Sequence, residues 1–410
     1  MKFCNIFIFV LLSLTKSVFT SENATLGMET LMEYSWRLSE ASNNFGFNLL
    51  SSMVTQKTKN IVFSPISIST TLGLIYHGSR GSTAKELEDI LGYKSCNLTR
   101  AEVSTAFRYL ISHHLITEKP IAYILDMATA LFVNKLLKLN STYIKDAEEI
   151  FRAPLETFDL TSRSKTVNRI NDWVRNQTRN KIVGIVESLD SSEDLIAVNT
   201  LYFKSKWMTY FPEKNTRKQT FYNAGKTPKA VPMMAREDTY LHYEDNEVSI
   251  IHLSCWGENI SMVILLPHRM DRLPDFEKSL SSQKLNKYLY DITPRMVKLK
   301  LPKFNISYST DVSPIIHEMG ATEIFQPTLA NLSGIVLDGN VAVGELRHKA
   351  MIEVNESGVE ASGFTAAFSF KSAPFPDDFP TKFIADHPFL FLIVDERTNL
   401  VLLMGRVWNL

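Results

Sequence analysis

Cysteine is scarce in this sequence, with three residues in a chain of 410. Cys4 falls in an apolar N-terminal segment, which leaves Cys96 and Cys255 either to pair with each other or to remain free. Their spacing matches no zinc or redox motif, so we expect no metal site and no cofactor. Because at most one disulfide is available, the hydrophobic core must stabilise the folded protein.

Charge of either sign is not in excess, because 44 Lys and Arg residues balance 44 Asp and Glu residues without a long run of one sign. Proteins that bind nucleic acid normally carry a basic excess or stripe, so the composition disfavours a nucleic-acid partner. Linkers rich in Pro, Gly or Ser, internal repeats and low-complexity tracts are also missing. We therefore expect residues 21–410 to form a single domain.

Long hydrophobic runs are missing too, apart from a short one at residues 6–14 that follows Lys2. This run is too short to cross a bilayer, and residues near Thr20 fit a cleavage point. The pattern predicts a signal peptide over residues 1–20, a secreted protein and no membrane partner. Acceptor motifs for N-glycosylation (Asn-X-Ser/Thr) follow at once. The candidate acceptors are Asn23, Asn97, Asn140, Asn176, Asn259, Asn305 and Asn331.

Each partial match to a catalytic motif in this sequence lacks a required residue. Gly225-Lys226-Thr227 resembles the end of a phosphate-binding loop, but Thr220 occupies the position of a required glycine. His317-Glu318 resembles the start of a zinc-binding helix, but Ala321 stands where the second histidine belongs. No Gly-X-Ser-X-Gly nucleophile motif is present. The sequence therefore predicts that the protein is not an enzyme.

Periodicity changes along the chain from helical to strand-like. Apolar residues recur at helical spacing at 43–54, 67–78 and 167–175, and Ser82-Thr83 predicts a capped helix start near residue 82. Nearly continuous apolar runs predict covered strands at 197–203, 248–253, 260–266 and 296–303. Residues 388–394 and 400–404 predict a closing hairpin. Helices followed by strands without regular alternation indicate the α+β class.

One long segment fits neither a helix nor a strand. Between a strand-like run at 351–354 and the hairpin, residues 361–370 are uncharged and rich in small side chains, and residues 372–380 contain three prolines. A structureless stretch of this length in a compact domain is usually functional or disordered. We therefore examine it as a functional loop.

Several motifs, taken in order, resemble the serpin family of protease inhibitors. They are residues 60–68 (NIVFSPISI), 199–207 (NTLYFKSKW), 354–358 (VNESG), 386–391 (DHPFLF) and 405–407 (GRV). The resemblance implies one domain of three β-sheets and eight or nine helices with an exposed reactive-centre loop at about residues 356–383. A target protease would cleave the loop and be held as an acyl-enzyme while the loop inserts into the central sheet.

The implied loop insertion makes a demand on side chains, because strand residues alternate between the two faces of a sheet. The resemblance places the hinge at Glu356 and Gly358, and the inward set must fit beneath the covering helices. That set continues with Val359, Ala361, Gly363, Thr365 and Ala367, which are small or β-branched and uncharged. Val359 and Phe364 depart from the family's usual residues. The pattern predicts an insertable loop.

Two further residue groups follow from the resemblance. Ser64, Ser67, Asn199 and His348 match the shutter, a polar cluster beneath the strands that must part. Trp207, Lys303 and Glu356 match the breach, where the loop first enters the sheet. A Lys303–Glu356 ion pair there would gate insertion.

The reactive bond is predicted from spacing along the loop. The family's usual count of seventeen residues from Glu356 reaches Ser372, and a loop shorter by one residue places the bond at Lys371–Ser372. Lysine before the bond suits a trypsin-like pocket with a buried carboxylate. Ser372 would instead suit an elastase-like pocket and Phe370 a chymotrypsin-like one. We favour Lys371.

A secreted Lys-Ser serpin also resembles the intracellular coagulation inhibitors of horseshoe-crab blood cells. This resemblance implies trypsin-like proteases of hemolymph clotting and innate immunity, released on degranulation, as targets of a monomeric inhibitor. The resemblance also raises the question of a binding site for a heparin-like glycosaminoglycan in the region of residues 94–120. The basic residues there are too sparse to indicate such a site, and solvated surface charge explains them more simply: Lys94, Arg100, Arg108 and Lys119. The alternatives are a non-inhibitory serpin (carrier, storage protein or chaperone) and a secreted hydrolase.

Overall fold

The computed structural model describes residues 27–55, 59–115, 123–189, 194–257, 259–359 and 380–410. Within this part of the chain nine α-helices are present, so the expected helix count is confirmed. They are α1 Met28–Thr55, α2 Pro65–Gly78, α3 Gly81–Ile90, α4 Arg100–Leu110, α5 Ser141–Phe151, α6 Arg163–Gln177, α7 Leu273–Ser279, α8 Ser282–Asp291 and α9 Ser313–Glu318. None of these helices combines the length and apolar composition that crossing a membrane requires.

Fifteen strands occur in the same described ranges. The first eight are β1 Ile61–Phe63, β2 Tyr123–Asn134, β3 Leu155–Phe158, β4 Leu195–Lys206, β5 Arg217–Asn223, β6 Thr227–Glu244, β7 Val248–Ser254 and β8 Ile260–Pro267. The others are β9 Thr293–Pro302, β10 Phe304–Asp311, β11 Val343–Asn355, β12 Gly358–Val359, β13 Thr381–Ile384, β14 Phe389–Asp395 and β15 Leu400–Val407. The α+β class is confirmed.

Hydrogen bonding joins these described strands into two sheets rather than three. The larger runs β1-β15-β14-β8-β7-β6-β9-β13, with β5 paired to β6. Strand β6 pairs with β5 and β9 along most of its length and with β7 at its end, from Leu241 to Glu244. Because β6 is long enough to pair with all three strands, what would otherwise be a second and a third sheet form one continuous sheet.

The smaller sheet contains the elements that matter for function. Its order is β10-β11-β12-β4-β2-β3, and β11 also pairs directly with β4. That direct ladder is parallel and runs from Val343 opposite Leu195 to Met351 opposite Tyr202. The strands around it are antiparallel, with β10 on β11 and β2 on β4.

Both faces of the six-stranded sheet are covered, which explains the continuous apolar run in β4. One face packs into the main core with α1, α2 and the larger sheet. The other face forms a second core in which Ile170 and Val174 of α6 pack with Phe132, Val198 and Tyr202. This sandwich limits which side chains a further strand can bring into the sheet.

Local capping decides where two helices begin. Helix α2 starts at Pro65 after Ser64, whose hydroxyl accepts a hydrogen bond from the Ser67 N–H. The predicted cap at Ser82 is wrong, because α3 begins at Gly81 without a side-chain cap. The Ser82 and Thr83 hydroxyls instead donate to Glu323, at 2.8 and 2.7 Å. These contacts tie α3 to a distant turn.

The two cysteines of the described chain are free thiols. Cys255 is fully buried, and burial raises the pKa of its thiol to about 12. Burial also raises the pKa of Cys96, to about 11. A thiol with a pKa this high carries little thiolate at neutral pH, so both cysteines are unreactive residues of the core and its margin.

Candidate functional site

The predicted hinge begins as a strand that already lies inside the six-stranded sheet. Glu356 and Ser357 form the turn of a tight hairpin between β11 and β12. Val359 pairs with Val354 on one side and with Ser205 of β4 on the other. Its side chain is fully buried. Val359, the first residue of the set predicted to face inward, therefore lies between β11 and β4 with its side chain in the core.

Gly358 is required at the start of this strand by lack of space. Its φ is 156°, and a Cβ atom there would lie 2.2 Å from the Ser205 carbonyl oxygen and 2.7 Å from the Lys206 Cα atom. Both atoms belong to the backbone of β4 and cannot move aside. Any side chain at position 358 would push β12 away from β4.

The breach residues meet at the end of this hairpin. The indole Nε1 of Trp207 donates to the Asn355 carbonyl at 2.9 Å, and the Trp207 N–H donates to the Ser357 carbonyl at 3.1 Å. Lys303 Nζ lies 2.8 Å from Glu356 Oε2. The predicted ion pair is therefore present in the structure. Trp207 and Lys303 together hold the hinge turn, the first through backbone carbonyls and the second through the Glu356 carboxylate.

Glu356 is mostly buried and is held by more than one partner. Burial by itself raises the pKa of this carboxyl, but the hydrogen bonds from Lys303 and Thr216 outweigh it, so the net pKa is lowered. The Thr216 hydroxyl donates to Oε1 at 2.8 Å. The carboxylate therefore ties the turn to β9 and β5 through residues at their ends.

The shutter residues form one hydrogen-bonded network across three strands and a helix. Asn199 Nδ2 donates to the Ser67 carbonyl at 2.9 Å and to Thr129 Oγ1 at 2.8 Å. Asn199 Oδ1 accepts from the Ser67 hydroxyl at 2.6 Å and lies 2.8 Å from His348 Nδ1. The amide of Asn199 therefore uses all four of its hydrogen-bonding positions.

His348 joins β11 to both β4 and the start of α2. Its Nε2 accepts from the Ser64 N–H at 3.1 Å, so the ring proton resides on Nδ1 and is donated to Asn199. Burial lowers the pKa of His348 to about 3. The imidazole is therefore neutral, and its bond to Asn199 crosses the seam between β11 and β4.

The reactive loop itself falls outside the described residues. Ala361, Gly363, Thr365, Lys371 and Ser372 all belong to residues 360–379, and the reactive bond stays a prediction. The described ends of the loop lie in different sheets, because β12 pairs within the smaller sheet and β13 pairs with β9 in the larger one. The two halves of the loop are thus anchored separately.

Most of the predicted glycan acceptors lie on the surface. Asn140 is half-buried, and its Oδ1 accepts from the Thr142 N–H to cap α5. Asn23 falls outside the described residues, as does the predicted signal peptide. Exposed positions are occupied by Asn97, Asn176, Asn259, Asn305 and Asn331. An eighth motif, Asn355-Glu356-Ser357, is absent from the predicted set because its residues were assigned only to the hinge.

One of the basic residues named as heparin candidates, Arg100, is engaged within the fold. Arg100 stacks over the Tyr76 ring at 4.2 Å and donates to the Tyr76 and Ser79 carbonyls. Lys119 falls outside the described residues. Arg100 therefore serves the end of α2, and a glycosaminoglycan site in this region stays a weakly supported prediction.

A central sheet with an inserted hinge and a polar cluster under its seam agrees with the fold expected from the motifs. The serpin (serine protease inhibitor) family model matches residues 40–410. The chain therefore belongs to the serpin family.

Individual relatives agree with this assignment. Iripin-8 of Ixodes ricinus is 32% identical over 397 residues, which cover 95% of this chain and 98% of the relative. Intracellular coagulation inhibitor 1 of Tachypleus tridentatus is 31% identical over 380 residues, covering 91% and 89%. A crystal structure of human thyroxine-binding globulin has a TM-score of 0.82 at 27% identity and covers 92% of this chain and 99% of its own.

Proposed function

We propose that the protein is a secreted suicide-substrate inhibitor of trypsin-like serine proteases. Cleavage of the loop at residues 356–383 would leave the protease as an acyl-enzyme on Lys371, and the freed loop would continue β12 into the six-stranded sheet. The observation that carries this proposal is Val359, which is buried between β11 and β4 while the sheet below it remains closed.

Insertion of the loop would replace the direct hydrogen-bond ladder between β11 and β4 with two ladders, one on each side of the inserted strand. The direct ladder between β11 and β4 ends at Met351 and Tyr202, and the hinge pairs begin at Val354 and Ser205, so the strands have started to diverge there. A strand that enters this seam breaks the existing ladder and forms one new ladder on each side. At about 1 kcal/mol net for each added hydrogen bond, a loop of roughly ten residues releases enough energy to distort a bound protease.

Continuing the observed register places Thr365 at the shutter. Val359 is opposite both Val354 and Ser205, so the same antiparallel register puts Thr365 between His348 and Asn199. The intruding strand separates these two side chains and breaks their 2.8 Å hydrogen bond. A threonine hydroxyl can accept from His348 and donate to Asn199, which replaces the lost bond.

The anchoring of the loop explains what cleavage leaves behind. From Thr381 onwards, the chain after the bond forms β13, β14 and β15, which are paired in the larger sheet and largely buried. The C-terminal fragment therefore stays bound to the folded protein. It separates only in denaturant, whereas the N-terminal side of the loop is free to insert.

Trapping is tested with purified inhibitor and a panel of trypsin-, chymotrypsin- and elastase-like proteases. We expect a denaturant-resistant 1:1 complex with the trypsin-like enzyme and a short C-terminal peptide that begins at Ser372. A peptide that begins at Ala373 would assign specificity to Ser372 and reject the trypsin-like class. Lys371→Ala is the matched variant, and it should lose complex formation with the trypsin-like enzyme only.

The setting of this inhibition is proposed from two further features. The pattern of residues 1–20 and the surface acceptor motifs support secretion, including by way of storage granules. The identity with the Tachypleus coagulation inhibitor supports a protease of a clotting or immune cascade as the target. The carrier alternative requires a loop that does not insert, so the melting comparison described in the Discussion separates it from trapping.

A further inference from the structure

The hinge turn carries an intact acceptor motif for N-glycosylation, Asn355-Glu356-Ser357. Asn355 ends β11, and the next two residues form the turn that leads into β12. Its Oδ1 accepts a hydrogen bond from the Ser357 N–H at 3.0 Å, which closes an Asx-turn across the motif. The motif is thus ordered as a turn on the surface side of the sheet.

The side chain of Asn355 lies on the face of β11 that is not packed into the main core. Along this strand the even-numbered residues Val354, Ile352 and Ala350 are buried, whereas Asn355 and Glu353 are half-exposed. Asn355 lines an open groove of about 440 Å³, together with Lys303, Asn305, Glu353, Glu356 and Ser357. A first sugar on the amide would therefore extend into open space and not into the core.

The amide nitrogen of Asn355 is available for modification. Nδ2 makes one long contact, to Glu353 Oε1 at 3.4 Å, and the tight bonds of this residue involve its backbone carbonyl and Oδ1. A glycosylated amide keeps one N–H, so even that contact can persist. By contrast, the Nδ2 of Asn199 is buried and donates two hydrogen bonds, so that amide is not available for glycosylation.

We propose that Asn355 is an N-glycan acceptor and that its glycan covers the breach groove. In the transfer, Nδ2 forms a bond to the anomeric carbon of a lipid-linked oligosaccharide diphosphate. The bond from that carbon to phosphate breaks, the lipid diphosphate leaves, and one amide proton is lost. The glycan extends from the turn over the Lys303–Glu356 pair. This inference rests on the proposed passage through the secretory pathway.

The location makes the glycan compatible with loop insertion. The turn at Glu356 and Ser357 remains a turn whether β12 ends at Val359 or continues down the sheet, so the modified residue does not enter the seam. The exposed acceptor Asn305 pairs with Glu353 on the neighbouring strand and lines the same groove. Two acceptors therefore face one groove, and a glycan on either one narrows it.

The test uses the full chain secreted from insect cells, treated with peptide N-glycosidase in ¹⁸O-water and digested with trypsin. The peptide spanning residues 350–371 contains Asn355 as its one asparagine, so an ¹⁸O-labelled aspartate in it identifies the site. We expect this label in wild type and in Ser357→Thr, and its loss together with one glycan in Ser357→Ala and Asn355→Gln. Asn305→Gln is the control for the neighbouring acceptor and should keep the label.

Each outcome decides the proposal. An unlabelled peptide 350–371 beside labelled peptides from Asn97 or Asn331 would overturn the Asn355 site and leave secretion intact. An absence of label at every acceptor would overturn the site, and a failure of the chain to reach the medium behind its own residues 1–20 would overturn both the site and the proposed secretory passage. A label that persists in Ser357→Ala would identify deamidation and would also overturn the site.

Discussion

At the scale of single residues, the shutter shows why a polar cluster can lie in the core of this protein. Asn199 is 2% exposed and His348 is 1% exposed. Buried polar groups destabilise a protein unless they are hydrogen-bonded, and here each amide and ring position has a partner. The network is therefore tolerated while the seam is closed, and it loses the His348–Asn199 bond when the seam opens.

The titration of His348 makes stability depend on pH. Burial lowers the pKa of His348 to about 3, whereas histidine in an unfolded chain titrates near 6.5. Below about pH 6.5 the unfolded chain binds a proton that the folded protein does not, so this contribution to stability is intact above pH 6.5 and is lost as pH falls towards 3. We expect the free energy of unfolding to fall by about 2 kcal/mol from this residue between pH 7 and pH 5.

The measurement compares melts of wild type, His348→Gln and His113→Gln from pH 7 to pH 5. His348→Gln should melt lower at pH 7 but lose less stability on acidification than wild type, and His113→Gln, at an exposed position, is the surface control. Burial raises the pKa of Glu277 to about 7, which has the opposite sign but is common to all three proteins. Parallel curves for wild type and His348→Gln would refute the assignment.

At the scale of the element, β12 is a strand of two residues that is held by its neighbours and not by its own length. Gly358 fits against the backbone of β4, and Val359 fills the space beneath the sheet. Strands of two residues are far below the usual length of five or six. The hinge therefore occupies the sheet because its side chains fit, and a misfit should expel it.

Substitution at Val359 tests this fit. Val359→Arg places a charge in a fully buried position without a partner, at a cost of several kcal/mol. Insertion should slow while deacylation continues, so we expect the variant to be cleaved as a substrate with little complex. The readout is the ratio of complex to cleaved inhibitor on a denaturing gel.

Val359→Thr is the matched control, because threonine is β-branched and of similar volume. It should keep most of the trapping activity, although its hydroxyl is less favourable in the core than a methyl group. Trapping by Val359→Arg at the wild-type ratio would show that the loop does not insert in the observed register.

At the scale of the whole molecule, the protein holds its two loop ends in two different sheets. While the chain is intact, the pairing of both ends restrains the segment between them and opposes its insertion into the seam. The closed seam between β11 and β4 is thus the arrangement of the uncut chain. A cut in the loop removes this restraint.

A nick by a non-target protease between residues 366 and 372 should therefore raise the melting temperature. The inserted strand adds a second ladder and buries the small inward side chains, and about 1 kcal/mol already shifts the transition of a mid-sized domain by a few degrees. We expect an increase of tens of degrees in thermal melts of intact and nicked protein run side by side. Equal melting temperatures would reject trapping and favour a carrier.

The sequence by itself determined the family, the α+β class and the position of somewhat fewer than half of the described helices and strands. Helix α2 was predicted from apolar residues at helical spacing, whereas strands β4, β7, β8, β14 and β15 were predicted from their apolar runs. The shutter and breach residues were found from motifs, and the structure brings each group together. The Lys303–Glu356 and His348–Asn199 pairs lie within hydrogen-bonding distance although they are far apart in sequence.

Tertiary structure decided what depends on contacts between distant segments. Strand β6 contains two prolines, and its exposed and buried residues follow one another irregularly. Its pairing with three neighbouring strands could therefore not be predicted from its sequence. The start of α3 was predicted to within one residue, but its cap was predicted wrongly, because Ser82 bonds Glu323, 241 positions away, and does not cap its own helix. The insertion of Val359 likewise depends on the space between β11 and β4, because a two-residue strand has no pattern of its own and exists only where a sheet leaves room for it.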